Sequence, residues 1–218
     1  MPSKPTRAQR LHIPGPAGDI EALLETPEPP DTRHFGVVCH PHPLYGGTLD
    51  NKVVYTLARA FGELGAPTLR FNFRGVGTSA GAFDSGVGEA EDLLAVITHG
   101  RQLFPGAALW LAGFSFGGAV AIRSAARAQP ERLVAVAPGV TLLDVGSVAP
   151  ASPWLIVQGD ADDVIEPRYV LEWASRLTPR PTVSVLQGAG HFFHGRLHDL
   201  RQAVVSFMRD ASPVRPTN

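Results

Sequence analysis

Short apolar runs alternate with amphipathic helical stretches along most of this chain, and that alternation limits the possible folds more than any other feature. The runs fall at 35–39 (FGVVC), 67–73, 107–112, 133–137, 154–158 (WLIVQ) and 182–186 (TVSVL). They are nearly continuous rather than alternating, the pattern of strands buried on both faces of a parallel sheet. Segments near 10–13 and 20–25 add an antiparallel edge pair. Between the runs, helical spacing recurs. Val53, Val54, Leu57, Ala58, Phe61 and Leu64 share one face, and Gly65 ends that helix. Ala90, Leu93, Leu94 and Ile97 make a second face, and residues 117–129 form a third helix stopped by Pro130. Leu171, Ala174 and Leu177 make a fourth, and Leu197, Leu200, Val204 and Phe207 a fifth. Strand–helix alternation implies right-handed crossovers and an α/β fold: a doubly wound, mostly parallel sheet flanked by helices. The length of 218 residues suits one domain over 1–218, with the tail from about 211 (SPVRPTN follows) expected to fray.

A formal charge of −1 gives no electrostatic pull toward nucleic acid or an anionic membrane. No apolar run approaches the roughly 20 residues that span a bilayer. The opening MPSKPTRAQR is not followed by an apolar stretch, so it does not read as a secretory signal. The single cysteine, Cys39, cannot form an internal disulfide and sits in FGVVCH, a buried setting; both point to a reducing cytoplasm and an inert thiol.

The pattern G-x-S-x-G occurs twice, as Gly113-Phe-Ser115-Phe-Gly117 and as Gly77-Thr-Ser79-Ala-Gly81. In a chain with 23 glycines the pattern alone is weak, and context decides. A nucleophile elbow needs a strand that ends at the serine and a helix that begins at once after it. ALWLAG leads into Ser115 and GGAVAIRSAARA follows it, whereas Ser79 is cut off from its strand by RGVG and runs on into a glycine-rich loop. Ser115 is the expected nucleophile and Ser79 a turn residue. The helix after Ser115 brings free N–H groups and a positive dipole end to the reacting carbon, so the Phe116 N–H is the first expected oxyanion donor.

A serine hydroxyl needs a neighbouring base. Among eight histidines, His191 lies just past the last strand in LQGAGHFF, where glycines let a loop deliver it to the sheet's carboxyl edge. His194 and His198 read as surface or packing residues. For the acid, QGDADDVIEP follows the strand at 154–158 and offers Asp160, Asp162 and Asp163, in the order Ser, Asp, His that elbow hydrolases use. The plain alternative is a solvated turn capping the helix that starts near Pro167. The loop HPHPLYGG after the strand at 35–39 should carry the second oxyanion N–H. Pro41 and Pro43 lack one, leaving His42 or Leu44. His40-x-His42 also has the spacing of a minimal metal pair, but no further ligands accompany it, so no metal and no cofactor is expected.

The elements CHPHPLYGGTLDNKVV, LRFNFRGVGTSAG, GEAED, LAGFSFGG, QGDADDVI and GAGHFFHG together resemble small bacterial α/β-hydrolases without a lid, related to dienelactone hydrolases. The likeness runs in order over nearly the whole chain. It implies the α/β-hydrolase fold with no cap domain, and puts Ser115 on the nucleophile, His191 on the base and Asp162 on the acid. The acid's place three after Gly159 and two before Val164 selects Asp162 over Asp160. This chain has Ser where dienelactone hydrolases have Cys, so their substrate does not carry over. Asn72, Arg74 and Glu89 fall in matching motifs and are expected to brace loops. Larger relatives insert a cap after the sixth main strand; here PGVTLLDVGSVAPASP fills that place, a loop that should leave Ser115 open to solvent. The expected activity is hydrolysis of small carboxylic esters, with thioesters and amides within the same chemistry. Acyl transfer, peptide cleavage, or a catalytically silent binding scaffold are the alternatives.

Overall fold

The computed structural model describes residues 6–146 and 149–210; the tail from 211 lies outside the described residues. One sheet of eight strands has the order β1-β2-β4-β3-β5-β6-β7-β8. β1 (Thr6–Gly15) and β2 (Gly18–Pro27) form an antiparallel hairpin, and β2 pairs antiparallel with β4 (Thr68–Phe71). From β4 onward, β3 (His34–Cys39), β5 (Ala108–Phe114), β6 (Arg132–Val136), β7 (Trp154–Gly159) and β8 (Thr182–Leu186) all pair parallel. The mostly parallel, doubly wound expectation holds. The edge pair is longer than the short apolar segments suggested, because a hairpin needs only cross-strand bonds to extend through polar residues.

The helices are α1 (Lys52–Glu63), α2 (Val87–Leu103), α3 (Phe116–Ala128), α4 (Pro167–Ser175) and α5 (Leu197–Arg209). α1 and α5 cover one face of the sheet, where Val53, Leu57, Phe61, Leu200 and Val204 meet Val38, Phe114 and Val157. α2, α3 and α4 cover the other, where Leu93, Val120 and Val170 meet Phe35, Leu111 and Ile156. Leu177, expected on the fourth helix, lies past its end but remains buried. The run at 182–186 departs from the both-faces-buried expectation. β8 is an edge strand, and Val183 and Val185 are exposed. Its apolar composition reflects β propensity rather than burial.

Chain order reverses at β3: the path goes out to β4 and then returns to β5 on β3's other side. The loops leaving β3 and β5 therefore diverge at the carboxyl edge, the place where sheets of this kind carry their sites. The described part of the β6–β7 connection, residues 137–146 and 149–153, contains neither helix nor strand. No helix among the described residues is long and apolar enough to cross a membrane.

α3 ends at Gln129, whose φ of 49° and ψ of 56° are left-handed, with its N–H donating to Ala125 O at 2.8 Å. An exposed non-glycine residue there carries a steric cost that glycine does not. Gln129→Gly is expected to stabilise the protein by roughly 0.5–1 kcal/mol after the extra chain entropy glycine must lose. Denaturant unfolding should show a higher midpoint, and an unchanged or lower midpoint would refute it.

Candidate active site

Ser115 stands at the sharpest turn of the chain. β5 ends at Phe114 and α3 begins at Phe116, which leaves the serine to reverse direction alone with φ 54° and ψ −118°. That conformation costs on the order of 1–3 kcal/mol and persists only where the surroundings fix it. Here the Ser115 N–H donates to Val136 O at 2.9 Å, and its carbonyl accepts from Ala119 N at 3.1 Å and Gly139 N at 2.9 Å. The turn also needs its two glycines. A Cβ on Gly113 would lie 2.2 Å from Gly117 O, and one on Gly117 would lie 2.3 Å from His40 O. The elbow and the start of the β3 loop are thus packed backbone to backbone.

The structure brings Ser115, His191 and Asp162 together. His191 Nε2 is 3.1 Å from Ser115 Oγ, and His191 Nδ1 is 2.9 Å from Asp162 Oδ2. An ionised Asp162 can only accept, so Nδ1 carries the proton and Nε2 faces the serine hydroxyl as an acceptor. Asp162 Oδ1 takes N–H bonds from Val164 (2.9 Å) and Ile165 (2.8 Å), while Oδ2 also takes one from Gln158 Nε2 (3.0 Å). Burial would raise this carboxyl, but the bonds from His191, Ile165 and Val164 outweigh it and hold Asp162 below the ordinary carboxylate range. The His191 ring is steadied by Phe114 at 4.9 Å and by the edge of Phe192 at 5.1 Å.

The other acids and histidines of these loops do different work. Asp160 Oδ1 accepts from Gly188 N at 2.6 Å and ties the β7 loop to the β8 loop. Asp163 is exposed; His194 is exposed beside Phe192, and His198 is exposed on α5. Ser79 is a brace: its hydroxyl donates to Asn72 O at 2.7 Å and accepts from Glu21 N at 2.9 Å. Asn72 accepts from Leu49 N and donates to Glu21, Arg74 grips Asp92, and Glu89 accepts from Asp84 N and Gly86 N, all loop-bracing contacts as expected. Cys39 is fully buried, and burial pushes its thiol well above the ordinary value.

On the β3 loop, the two candidate oxyanion donors separate. The Leu44 N–H already donates to His42 Nδ1 at 3.2 Å. The His42 N–H has no acceptor among the described residues, nor does the N–H of Phe116, the first residue of α3. The two residues adjoin, with ring centroids 5.0 Å apart. The spacing His40-x-His42 does not make a metal pair. His40 is wholly buried and spends both ring nitrogens on backbone, with Nε2 accepting from Phe73 N at 3.0 Å and Nδ1 donating to Pro41 O at 2.6 Å. Burial pushes its pKa down to about 4, which keeps it neutral.

One expectation needs revision. Ser115 is not open to solvent: 3% of its surface is exposed, and His191 is equally buried. Phe192 of the loop after β8 packs on His191 and the β3 loop abuts the elbow at Gly117, so the absence of a lid did not imply an exposed serine. Sequence reasoning missed Gln158, and weighed His40 only as a metal ligand rather than as a brace of backbone. Gln158 had a signal, as the one polar residue in the apolar run WLIVQ, next to the turn that carries the acid.

Comparison with known proteins bears on the fold and the class of activity. The family model described as serine aminopeptidase, S33, matches residues 46–151, a span that includes Ser115 but ends before Asp162 and His191. An uncharacterized protein of Rickettsia prowazekii is 34% identical over 211 residues, 91% of this chain and 88% of that protein. The crystal structure of a lidless α/β serine hydrolase from Xanthomonas campestris is 42% identical, with a TM-score of 0.90 over 99% of this chain and 100% of that one. An α/β serine hydrolase homologue from Coxiella burnetii is 43% identical, with a TM-score of 0.84 over 91% and 96% of the two chains. The fold and the likenesses define a hydrolase of the α/β class. The chain belongs to the α/β serine hydrolase family and, like its Xanthomonas relative, shows no lid among the described residues.

The bonding pattern separates the acids by experiment. Asp162→Asn is expected to lower kcat by about 10⁴-fold, because His191 loses the partner that fixes its tautomer. Asp163→Asn should leave kcat nearly unchanged, and Asp160→Asn, which weakens only the Gly188 tie, should cost far less than Asp162→Asn. Steady-state kinetics with equal losses at Asp160 and Asp162 would reject this assignment.

Proposed function

We propose that this protein hydrolyses small carboxylic esters through an acyl-enzyme on Ser115. The observation that carries the reading is the continuous chain Ser115 Oγ–His191 Nε2 and His191 Nδ1–Asp162 Oδ2, at 3.1 and 2.9 Å, on a strained elbow. His191 takes the serine proton as Ser115 attacks the carbonyl carbon, and Asp162 holds the ring and stabilises the imidazolium. The N–H groups of Phe116 and His42 receive the developing oxyanion, with Leu44 set aside because its N–H is already bonded. His191 returns its proton to the leaving alcohol. It then activates water to attack the acyl carbon and free Ser115. Thioesters and amides fit the same sequence of steps.

None of these steps calls for a cofactor, and the partner is a small-molecule ester rather than nucleic acid or membrane. A lone, buried Cys39 fits a cytoplasmic setting. The family description of a serine aminopeptidase keeps peptide cleavage as the second reading, because an amide bond needs only the same triad.

Ser115→Ala is expected to cut hydrolysis by about 10⁴- to 10⁶-fold and abolish labelling by a fluorophosphonate probe, whereas Ser79→Ala should remain labelled. Mass spectrometry that maps the adduct to any residue but Ser115 would refute the reading. With no cap to enclose a long chain, esters of short acyl groups should give the higher kcat/KM in a panel of graded acyl length. A preference for long chains, or for amino-terminal peptides over every ester, would overturn the choice of substrate.

A further inference from the structure

Every oxyanion hole faces a problem of peptide orientation. The N–H of His42 belongs to the peptide unit whose carbonyl is that of Pro41. In a trans peptide the two point in opposite directions, so whatever holds the carbonyl also aims the N–H. The peptide from Pro41 to His42 lies in no helix or strand; the short 3-10 turn Pro43–Tyr45 begins only after it, with His42 as its N-cap.

We infer that His40 is the positioning residue of the oxyanion hole, gripping Pro41 O so that the His42 N–H turns toward Ser115. The inference rests on the ester-hydrolase reading above and extends it to a residue that touches no substrate. Its tautomer follows from geometry. The Phe73 N–H points at Nε2, so the proton sits on Nδ1, where it meets Pro41 O at 2.6 Å. The ring is therefore a rigid rod between the end of β4 and the β3 loop, and its edge-on packing with Phe73 at 4.7 Å holds the plane. The far side of the same peptide is closed by Gly47. A Cβ there would lie 2.2 Å from Pro41 O and 2.7 Å from His42 O, and the Gly47 N–H donates to His42 O at 3.1 Å. The carbonyl thus has one place to point. The base of this loop also abuts the elbow, since Gly117 leaves no room for a Cβ against His40 O.

Two substitutions act on this one peptide by separate routes. His40→Gln removes the bond to Pro41 O, and Gly47→Ala pushes the peptide sterically while removing nothing from the core. Each should lower kcat for a short-acyl ester by about 10²-fold, the scale of one lost oxyanion donor. KM should stay within about threefold of the parent enzyme, because the N–H acts on the transition state rather than on bound substrate. Affinity for a boronic acid, which forms a tetrahedral adduct on serine, should fall in step with kcat. His40→Asn places an amide N–H where Nδ1 stood and should recover at least about tenfold over His40→Gln, a rescue that general loss of packing would not give.

If His40→Gln fails to fold, Gly47→Ala decides alone. A folded Gly47→Ala enzyme with kcat within about threefold of the parent overturns the inference, as does an effect on KM alone. An Asn variant no better than Gln would also overturn it. Absence of both hydrolysis and fluorophosphonate labelling in the parent enzyme would instead bring down the hydrolase reading, and this inference with it.

Discussion

The turn at Ser115 sets the terms for the rest of the molecule. A residue at φ 54° and ψ −118° does not stay there by its own preference, and the restraint comes from three directions at once. β6 holds its N–H through Val136 O, α3 holds its carbonyl through Ala119 N, and the β6–β7 loop adds Gly139 N. The glycines that admit this turn also let the β3 loop approach to backbone contact at Gly117. One strained residue thus demands a central strand, a helix starting at once, and a neighbouring strand on each side. The doubly wound sheet provides all of these at the place where its strand order reverses.

Much of this was legible in the chain, and the reasons differ by element. β3, β5, β6 and β7 are buried on both faces and announce themselves as continuous apolar runs. β8 carries the same composition for another reason, and burial cannot be told from β propensity by composition alone. Ser115 and His191 could be placed because strand–turn–helix and strand–glycine loop contexts are local. Asp162 needed the likeness to a family, since three acids share its turn and only side-chain geometry parts them. His40 depends on a contact across the sheet, Phe73 N–H to its ring, that no local pattern encodes. Gln158 showed only as the polar residue of WLIVQ, and His42 and Leu44 are parted by a short turn bond, Leu44 N–H to His42 Nδ1, that residue types alone do not reveal.

The burial of the triad also changes how its electrostatics work. In a site open to water, the Asp162–His191 pair would be screened, and its hold on the tautomer would be loose. Here the carboxylate is enclosed and accepts from four donors, two of them backbone N–H groups of its own turn. Those bonds offset the cost of burying the charge, so His191 need not supply all of the compensation. It can accept and release a proton while the carboxylate stays ionised throughout.

A lid is therefore one of two ways to dry a serine site. In a capped hydrolase the cover closes over the substrate after it binds; in this chain Phe192 of the loop after β8 packs on His191, and the β3 loop abuts the elbow at Gly117. That arrangement removes the entropy cost of closing a domain, but it asks the loops to hold their shape unaided. The prolines at 41 and 43, the buried neutral His40 and the Gly47 contact meet that demand on one side. The Asp160–Gly188 tie and the packing of Phe192 against His191 and Phe114 meet it on the other. Rigid loops around a buried nucleophile leave little room to adapt to a long acyl chain. On the proposed reading, the same contacts that hold the His42 peptide would favour compact substrates.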